Sequence, residues 1–436
     1  MTSVALHHDL EQLQQFSADR YVNLYGARRA GGIAGIGNTV RREFARLDIG
    51  VSEAAWDFVS IALGVVAADT FVSRDYGGDG FARDLTVQMP LADPKLWEAN
   101  EAELSRILRF LTGDNWSFSF IAGGTTPPSP AERQRKRIRT SIRDCDHVCL
   151  FSGGMDSLIG ALSCIADPDL KPLLVSRSSG GDQKFQGELL SLLGNPTQFA
   201  VNDAPQRDPE ELFETEGTTR SRSLLFLALA SACADAISRN RNYPTTALWI
   251  PENGVIALNA PLTNRRIGAA STRTAHPHYL HGIQCLLKAS GIRAYISNPF
   301  ANFTKGEMIL KSPQRQQITT LISQTVSCGK FKRSSQQCGK CVPCLIRRAA
   351  CHKAGIVEPA GTYRQVHLSS VTGSKDSEAD VYAVRRALRS ITKDKVPSWV
   401  LKSGPLHTTN AKPFYDVAWR GLEELRALFS KENVPK

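Results

Sequence analysis

The sequence has no apolar run close to the roughly 20 residues that a membrane-spanning helix needs. Its first residues, Met-Thr-Ser-Val-Ala-Leu-His-His-Asp, lack the basic start and apolar core of a secretory signal. It also contains no internal repeat and no long low-complexity segment, so nothing indicates a repeat protein. We therefore expect a cytoplasmic globular protein that makes no membrane contact.

The chain has 436 residues, 42% of them hydrophobic and 22% charged, which is ordinary for a globular protein of two or three domains. The net charge of +11 favours anionic partners, without choosing among nucleotides, nucleic acid and an acidic protein. Ten cysteines in a reducing compartment do not indicate a disulfide framework. Six of them lie mostly among apolar neighbours and are interpreted as small core residues: Cys145, Cys149, Cys164, Cys233, Cys285 and Cys351.

Composition divides the chain into four parts. Residues 1–125 are predicted to form an N-terminal α+β accessory domain, and 126–143 a basic linker and helix. Residues 144–355 alternate short apolar strands with helices, and 356–436 are predicted to be a helical extension. The alternation indicates an α/β fold in which a parallel sheet carries helices on both faces. Ligands of such sheets bind at the carboxyl ends of the strands.

Two local predictions in the N-terminal part follow from glycine and proline. The glycine-rich stretch 26–37 follows no clear strand and is predicted to be a turn-rich segment rather than a phosphate loop. Residues 85–89 alternate apolar and polar side chains and predict a strand that Pro90 stops. The six Lys or Arg residues between Glu132 and Arg143 favour a solvated helix face, and contact with nucleic acid is possible but not favoured.

The strongest motif is Ser-Gly-Gly-Met-Asp-Ser at residues 152–157, between an apolar strand and a helix. Glycines let the backbone approach an anion closely, and the amides at a helix start attract negative charge. The hydroxyls of Ser152 and Ser157 can donate to phosphate oxygens. Asp156 is an anion beside an anion site, which is understandable if it holds Mg²⁺.

Four cysteines form a second motif, Cys-x9-Cys-x2-Cys-x2-Cys, at Cys328, Cys338, Cys341 and Cys344. Four sulfurs with no open position are typical of a structural Zn²⁺ site. An iron–sulfur cluster is the main rival, since a tetrahedral set of four sulfurs suits both. The intervening lysines and arginine offset the charge of four thiolates.

The hexapeptide resembles the PP-loop of ATP pyrophosphatases, such as GMP synthetase, asparagine synthetase, tRNA-thiolating enzymes and 7-cyano-7-deazaguanine synthase (QueC). With the downstream cysteines, the resemblance is specifically to QueC and covers about residues 146–355. Further stretches that resemble it are 181–189, the helix start at Arg222, the segment from Asn298 to Glu307, and Cys344-Leu-Ile-Arg347. The fold implied is that of the PP-loop, or adenine nucleotide alpha hydrolase-like, enzymes.

The resemblance implies cofactors and site residues. ATP and Mg²⁺ would bind at the loop, and Zn²⁺ at the four cysteines. The nucleotide-binding residues implied are Ser152, Gly153, Gly154, Met155, Asp156, Ser157 and Gln183. The catalytic residues implied are Asp156, Ser157, Lys305 and Arg222. Arg222 and Lys305 would face phosphates or a substrate carboxylate.

The chain departs from QueC in ways that bear on its product. The family's Asp-x-x-Tyr-Pro-Asp-Cys-Arg substrate segment is missing, and Glu252-Asn253-Gly254 and a segment from Asn264 to His278 stand in its place. The histidines at 276, 278 and 281 are interpreted as ordinary loop and helix residues rather than a metal site. The added N- and C-terminal parts make the chain similar to enlarged QueC-like proteins of anti-phage defence operons, the QatC-like group.

The function implied is ATP-dependent adenylation of a 7-deazapurine carboxylate, 7-carboxy-7-deazaguanine. A nitrogen nucleophile, either ammonia or an amine of a partner protein from a defence operon, would then displace AMP. A tRNA-modifying PP-loop enzyme and a non-catalytic nucleotide-sensing scaffold are the alternatives. Clustered cysteines engaged with a metal disfavour the first, and an intact Asp156 disfavours the second.

Overall fold

The computed structural model describes residues 1–76, 80–130, 140–177, 182–207, 215–263, 273–329, 331, 336–371 and 379–434. Of the predicted basic helix at 132–143, residues 132–139 therefore lie outside the description. So does most of the substituted segment 264–278, whose described part begins at Arg273.

A parallel sheet of five described strands forms the N-terminal part. Its strands are β1 (Thr2–His7), β2 (Arg20–Gly26), β3 (Ile33–Gly37), β4 (Asp84–Leu91) and β5 (Asn115–Ala122). They lie in the order β3-β2-β1-β4-β5. The mixture of helices and strands expected for residues 1–125 is confirmed, and all the described strand pairs of this sheet are parallel.

Two local predictions in this sheet were wrong. Ile33–Gly37, expected to be turn-rich, is strand β3. Pro90 does not stop β4, which continues to Leu91. Beyond Gln88 the strand pairs only with β5, so the absent N–H of Pro90 removes no ladder hydrogen bond to β1.

The second sheet repeats this topology. Its strands are β6 (His147–Leu150), β7 (Pro172–Arg177), β8 (Gln198–Val201), β9 (Thr246–Trp249) and β10 (Ala294–Ser297). They are parallel and lie in the order β10-β9-β6-β7-β8, as the alternating pattern predicted. The direction of strand addition reverses between β6 and β9, and ligand crevices of open parallel sheets lie at such reversals.

Sixteen described α-helices connect and cover the strands. The N-terminal part contains α1 (Leu10–Leu13), α2 (Val40–Ala45), α3 (Glu53–Phe71), α4 (Pro94–Glu98) and α5 (Glu101–Thr112). Around the second sheet lie α6 (Met155–Ile165), α7 (Asp182–Leu192), α8 (Arg222–Asn240), α9 (Gly254–Ala257), α10 (Pro277–Ala289), α11 (Lys305–Lys311), α12 (Arg315–Leu321) and α13 (Val342–Ala354). The C-terminal region contains α14 (Ala379–Ser390), α15 (Val396–Leu401) and α16 (Lys412–Lys431).

Helices α3 and α8 pack against each other between the two sheets, so one hydrophobic core runs through both. Helix α3 is the one described helix long and apolar enough to cross a membrane, and 89% of its apolar window is buried inside the protein. A helix that is apolar and buried on every face is typical of the core of a large protein.

The C-terminal helices form a second core with α13 and α9. Helix α16 lies against α13 and α9, and its buried face includes Val417, Leu422 and Leu425. The helical character expected for residues 356–436 is thereby confirmed within the described residues.

Candidate functional site

The Ser-Gly-Gly turn lies between the end of β6 and the start of α6. Gly153 has a φ of +81°, in the left-handed region that favours glycine, and Gly154 is the N-cap of the helix. A Cβ at position 153 would lie 3.2 Å from Cγ of Gln186, so a side chain there would also crowd α7. Both the positive φ and the short distance to Gln186 therefore favour glycine at position 153.

Hydroxyls hold the turn in shape. The Ser157 hydroxyl donates to the Gly154 carbonyl over 2.9 Å, and the Ser152 hydroxyl donates to the Ser157 hydroxyl over 3.3 Å. Met155 is 1% exposed and packs in the core between the sheet and α6, so its side chain does not face a ligand. Its main-chain N–H belongs to the first turn of the helix, where amides are free to bind an anion.

A cavity of about 460 Å³ opens beside this turn, at the carboxyl ends of β6, β7 and β9. It brings Ser152 and Ser157 together with Arg222, the first residue of α8, as the motif reading predicted. The other lining residues are Leu150, Arg177, Gln186, Ser223, Phe226, Leu227, Ile250, Pro251, Glu252, Thr274 and Ala275. The lining therefore combines polar groups with apolar side chains, among them Phe226 and Leu227 of α8.

Asp156 lies behind the turn and pairs with Lys305, a contact that the sequence motifs did not predict. The Lys305 ammonium lies 3.0 Å from one carboxylate oxygen, and the Asn253 amide donates to the other over 2.7 Å. Both charged side chains are nearly buried, at 7% and 8% exposure. Lys305 is the first residue of α11, so a capping box at Thr304 and Glu307 fixes the point at which it enters the site.

A second carboxyl group, Glu252, hydrogen-bonds to Asp156. Burial disfavours the charged form of Asp156, but Lys305 and the hydrogen bonds from Glu252 and Asn253 outweigh it, so the pKa of Asp156 lies below its usual value. Burial and the neighbouring Asp156 charge raise the pKa of Glu252 well above the usual range. Glu252 therefore holds a proton more tightly than Asp156 does.

Two adjoining carboxyl groups are a donor set that suits a hard divalent cation, and Glu252 also lines the cavity. The side chains therefore fit Mg²⁺, with Asp156 and Glu252 as the residues that would hold it. Binding would require both carboxyl groups to be deprotonated, because a metal ligand must carry no proton.

The four clustered cysteines meet as their spacing predicted. Their sulfurs all lie within 4.8 Å of one another, and the side chains are buried. Two of the Sγ–Sγ separations are 3.9 Å, between Cys338 and Cys344 and between Cys328 and Cys341. Tetrahedral ligands about 2.3 Å from a zinc ion lie about 3.8 Å apart. The set therefore fits a structural zinc ion.

Arg347 links the cysteine cluster to the Ser-Gly-Gly turn. Its guanidinium, buried in α13, donates to the carbonyls of Thr325 and Ile322 over 2.9 and 2.6 Å. The next residue along, Val326, donates its N–H to the Gly153 carbonyl over 3.2 Å. The irregular segment that leads to Cys328 is thus hydrogen-bonded to the Ser-Gly-Gly turn.

Other sequence-based interpretations have different outcomes. The side chain of Gln183 lies outside the described residues, although its backbone begins α7. Burial lowers the pKa of His276 to about 3 and that of His278 to about 4, which keeps both neutral. Within the described residues, these histidines join no cluster of three metal-ligating side chains.

Sequence reasoning did not assign Glu252, Asn253 or Arg177 to the site. Glu252 and Asn253 follow β9, the strand next to β6, and Arg177 ends β7, where it pairs with Asp203 at 2.7 Å. Their position after strands that neighbour β6 was the signal that could have identified them, because carboxyl ends of parallel strands share one edge.

Residues 275–355 match the family model described as queuosine biosynthesis protein QueC, and the chain is QueC-like there. The matched segment contains Lys305 and the four clustered cysteines, whereas the loop at 152–157 lies outside it. No curated protein matches the chain.

Proposed function

We propose that this QueC-like chain is an ATP-dependent carbon–nitrogen ligase that adenylates a carboxylic acid and releases pyrophosphate. One observation carries the proposal: Ser152, Ser157 and Arg222 line a single cavity, and the buried Asp156–Lys305 pair lies behind the same turn. Amides at a helix start, hydroxyls and two cations together suit a polyphosphate.

The proposed reaction assigns a task to each group. Amides of residues 153–157 and the hydroxyls of Ser152 and Ser157 bind the β and γ phosphates, which leave as pyrophosphate. Arg222 and Lys305 neutralise charge that develops as the bond between the α and β phosphates breaks. Mg²⁺, when bound, supplies further charge neutralisation on the phosphates.

In the first step, the substrate carboxylate attacks the α phosphorus of ATP, and pyrophosphate departs to leave an acyl adenylate. In the second, a nitrogen nucleophile attacks the acyl carbon, AMP departs, and the nitrogen loses a proton. Holding the reactants in line accounts for much of the acceleration in such transfers. With ammonia the product is an amide, which a second ATP can dehydrate to a nitrile.

We propose 7-carboxy-7-deazaguanine as the carboxylic acid. The support is the QueC match and the apolar side of the cavity, where Phe226 and Ile250 can face a flat heterocycle. We propose an amine of a partner protein as the nucleophile, and we propose a role in anti-phage defence. The support for both is that the family's substrate segment is replaced and that the chain has two added parts. Mass spectrometry of a co-expressed partner would detect the added mass; free nitrile with an unmodified partner would reject this acceptor.

The first test is a pyrophosphate-release screen over carboxylic acids that includes 7-carboxy-7-deazaguanine. We expect release by the wild type and a loss of at least about a hundredfold for Asp156→Ala, since one preorganised charge contributes on that scale. Asp169→Ala, which removes an exposed carboxylate from the loop after α6, is the matched control and should retain full activity.

A tRNA-thiolating enzyme is the second candidate, favoured by the net charge of +11. Such enzymes usually need reactive cysteines at the site, and no cysteine is among the described residues that line the cavity. Incorporation of sulfur into bulk tRNA would favour this candidate over the ligase. A wild type without any pyrophosphate release would favour a nucleotide-sensing scaffold instead.

A further inference from the structure

A carboxylate of the N-terminal part binds the start of α8, which lies in the second half of the molecule. One Asp69 oxygen accepts from the N–H of Arg220 over 2.6 Å, and from the N–H and hydroxyl of Ser221 over 2.8 and 2.9 Å. Asp69 and Ser221 are completely buried. Three charge-assisted hydrogen bonds to two consecutive residues fix both the position and the direction of the chain there.

The other Asp69 oxygen is held by two arginines. Arg83 lies 2.5 Å from it and Arg74 lies 3.2 Å from it, and both guanidiniums also bind Asp114, at 2.7 and 2.8 Å. These two arginines and two aspartates form a buried cluster of ion pairs. Because each member is hydrogen-bonded from several directions, the Asp69 carboxylate has no freedom to rotate away from α8.

The segment that leads into α8 is bound to the same unit. Glu216 donates its N–H to the Thr70 carbonyl over 2.9 Å and accepts from the Arg74 N–H over 3.0 Å. The Arg220 guanidinium donates to the Thr112 carbonyl over 2.6 Å. Residues 216–221 are therefore positioned by the ends of α3 and α5 rather than by the sheet to which α8 belongs.

The next residue along the chain is Arg222, which begins α8 and lines the cavity beside Ser152 and Ser157. A displacement of Ser221 is transmitted directly to Arg222 because the two are neighbours at the rigid first turn of a helix. Displacements of about 1 Å can change a catalytic rate by about a hundredfold.

We propose that Asp69 is a positioning residue for Arg222, so that the N-terminal unit is a working part of the nucleotide site. This inference rests on the proposed function, in which Arg222 contacts the phosphates or the substrate carboxylate. It gives the N-terminal part a role that the motifs of the second half do not supply.

The test is a double-mutant cycle that combines Asp69→Asn with Arg222→Ala. We expect each single variant to lower kcat/KM for ATP at least roughly tenfold, and the double variant to lose no more than Arg222→Ala alone. Ser221→Ala, which removes only one of the three hydrogen bonds, should lower it roughly threefold and show the same dependence on Arg222. Independent losses that multiply in the double variant would overturn the proposal.

Asp57→Asn is the matched control. Asp57 is also a buried carboxylate of α3, and it accepts from the N–H groups of Ala92 and Asp93 at 2.9 and 3.0 Å, within its own unit. The Asp57→Asn variant should have a lower melting temperature than the wild type and an unchanged kcat/KM. An equal loss of kcat/KM in Asp57→Asn would show that any damage to the N-terminal unit suffices, and would overturn the specific role of Asp69.

The ATP dissociation constants of the same variants are to be measured by calorimetry. These constants separate the proposal of a ligase from the proposal that Asp69 positions Arg222. A wild type that binds ATP but releases no pyrophosphate rejects the ligase, while the dissociation constants still decide the role of Asp69. A wild type that binds no ATP overturns both. Should Asp69→Asn fail to fold, the milder Ser221→Ala pair decides the outcome.

Discussion

At the scale of single residues, the site depends on charges that are buried in opposite pairs. Lys305 and the Asn253 amide lower the pKa of Asp156, whereas burial and the Asp156 charge raise the pKa of Glu252 beside it. A buried carboxylate without such partners would take up a proton instead. The chemistry proposed for Asp156 therefore depends on three residues that are far from it in sequence.

The same scale shows what could be predicted. Ser152, Ser157 and Asp156 follow from a local motif, because a strand, a glycine turn and a helix are contiguous. Glu252 and Asn253 could not be assigned to the site from their own neighbours, since their role arises only where β9 lies beside β6. The core position of Met155 was also hidden, because a six-residue motif does not show which side chain turns inward.

The turn at Gly153 yields a direct prediction. Alanine there would have to adopt a φ of +81° and would contact Gln186, so Gly153→Ala should lower stability by about 1 kcal/mol and weaken ATP binding. The control is Gly187→Ala in α7, where an added Cβ meets open space. That variant should be neutral or slightly stabilising. Calorimetric melting together with nucleotide titration measures both effects; unchanged ATP affinity in Gly153→Ala would contradict the assignment of the loop.

At the scale of elements, the second sheet was predictable because its strands are short apolar runs between helices. The glycine-rich strand β3 of the first sheet was not predictable from its sequence. Gly35 exchanges two 2.8 Å backbone hydrogen bonds with Gln206, and a Cβ at Gly35 would lie 2.4 Å from the backbone N of Arg28. Glycine here permits a close approach of two chain segments, which sequence alone presents as a turn signal.

The cysteine cluster gives a second prediction, which concerns the metal that it binds. The purified protein should contain zinc at about one ion per chain, and Cys344→Ser should lose it and melt at a lower temperature. Cys351→Ser, on the same helix but outside the cluster, should keep the metal. Elemental analysis and an absorption spectrum decide the identity of the metal. Iron with visible absorption would contradict the zinc assignment.

At the scale of the whole molecule, each extension binds a helix that carries a charged residue to the site. The N-terminal part binds the start of α8 through Asp69, and α16 of the C-terminal part binds the start of α11. There, Glu424 accepts from the Thr304 hydroxyl over 2.5 Å, and Arg420 pairs with Glu307 at 2.6 Å. Such long-range pairings were beyond the reach of sequence patterns, because each joins residues separated by more than a hundred positions.

Glu424 makes this connection dependent on pH. Burial, with a smaller effect of Glu307, raises its pKa to about 7, above the ordinary value of 4.5. Since the folded protein binds this proton more tightly than the unfolded chain, the contribution is full below about pH 4.5 and is lost as the pH rises through about 7. Relative to Glu424→Gln, the wild type should therefore lose about 3 kcal/mol of unfolding free energy between pH 4 and pH 8.

Denaturant titrations of both proteins across this range would measure the difference. The control is Glu423→Gln, which removes a half-exposed carboxylate beside Arg426 and should change the unfolding free energy by less than about 1 kcal/mol. A constant difference between the wild type and Glu424→Gln would mean that the buried carboxyl does not titrate in this range.

The central claim is that the loop at residues 152–157 grips the two terminal phosphates of ATP while the bond to the α phosphate breaks. The most direct measurement is a phosphorus NMR spectrum of ATP incubated with the wild type, Mg²⁺ and 7-carboxy-7-deazaguanine. Appearance of AMP and pyrophosphate, absent with Asp156→Ala, is the predicted result. Formation of ADP and inorganic phosphate would place the cleavage at the wrong bond and contradict the account.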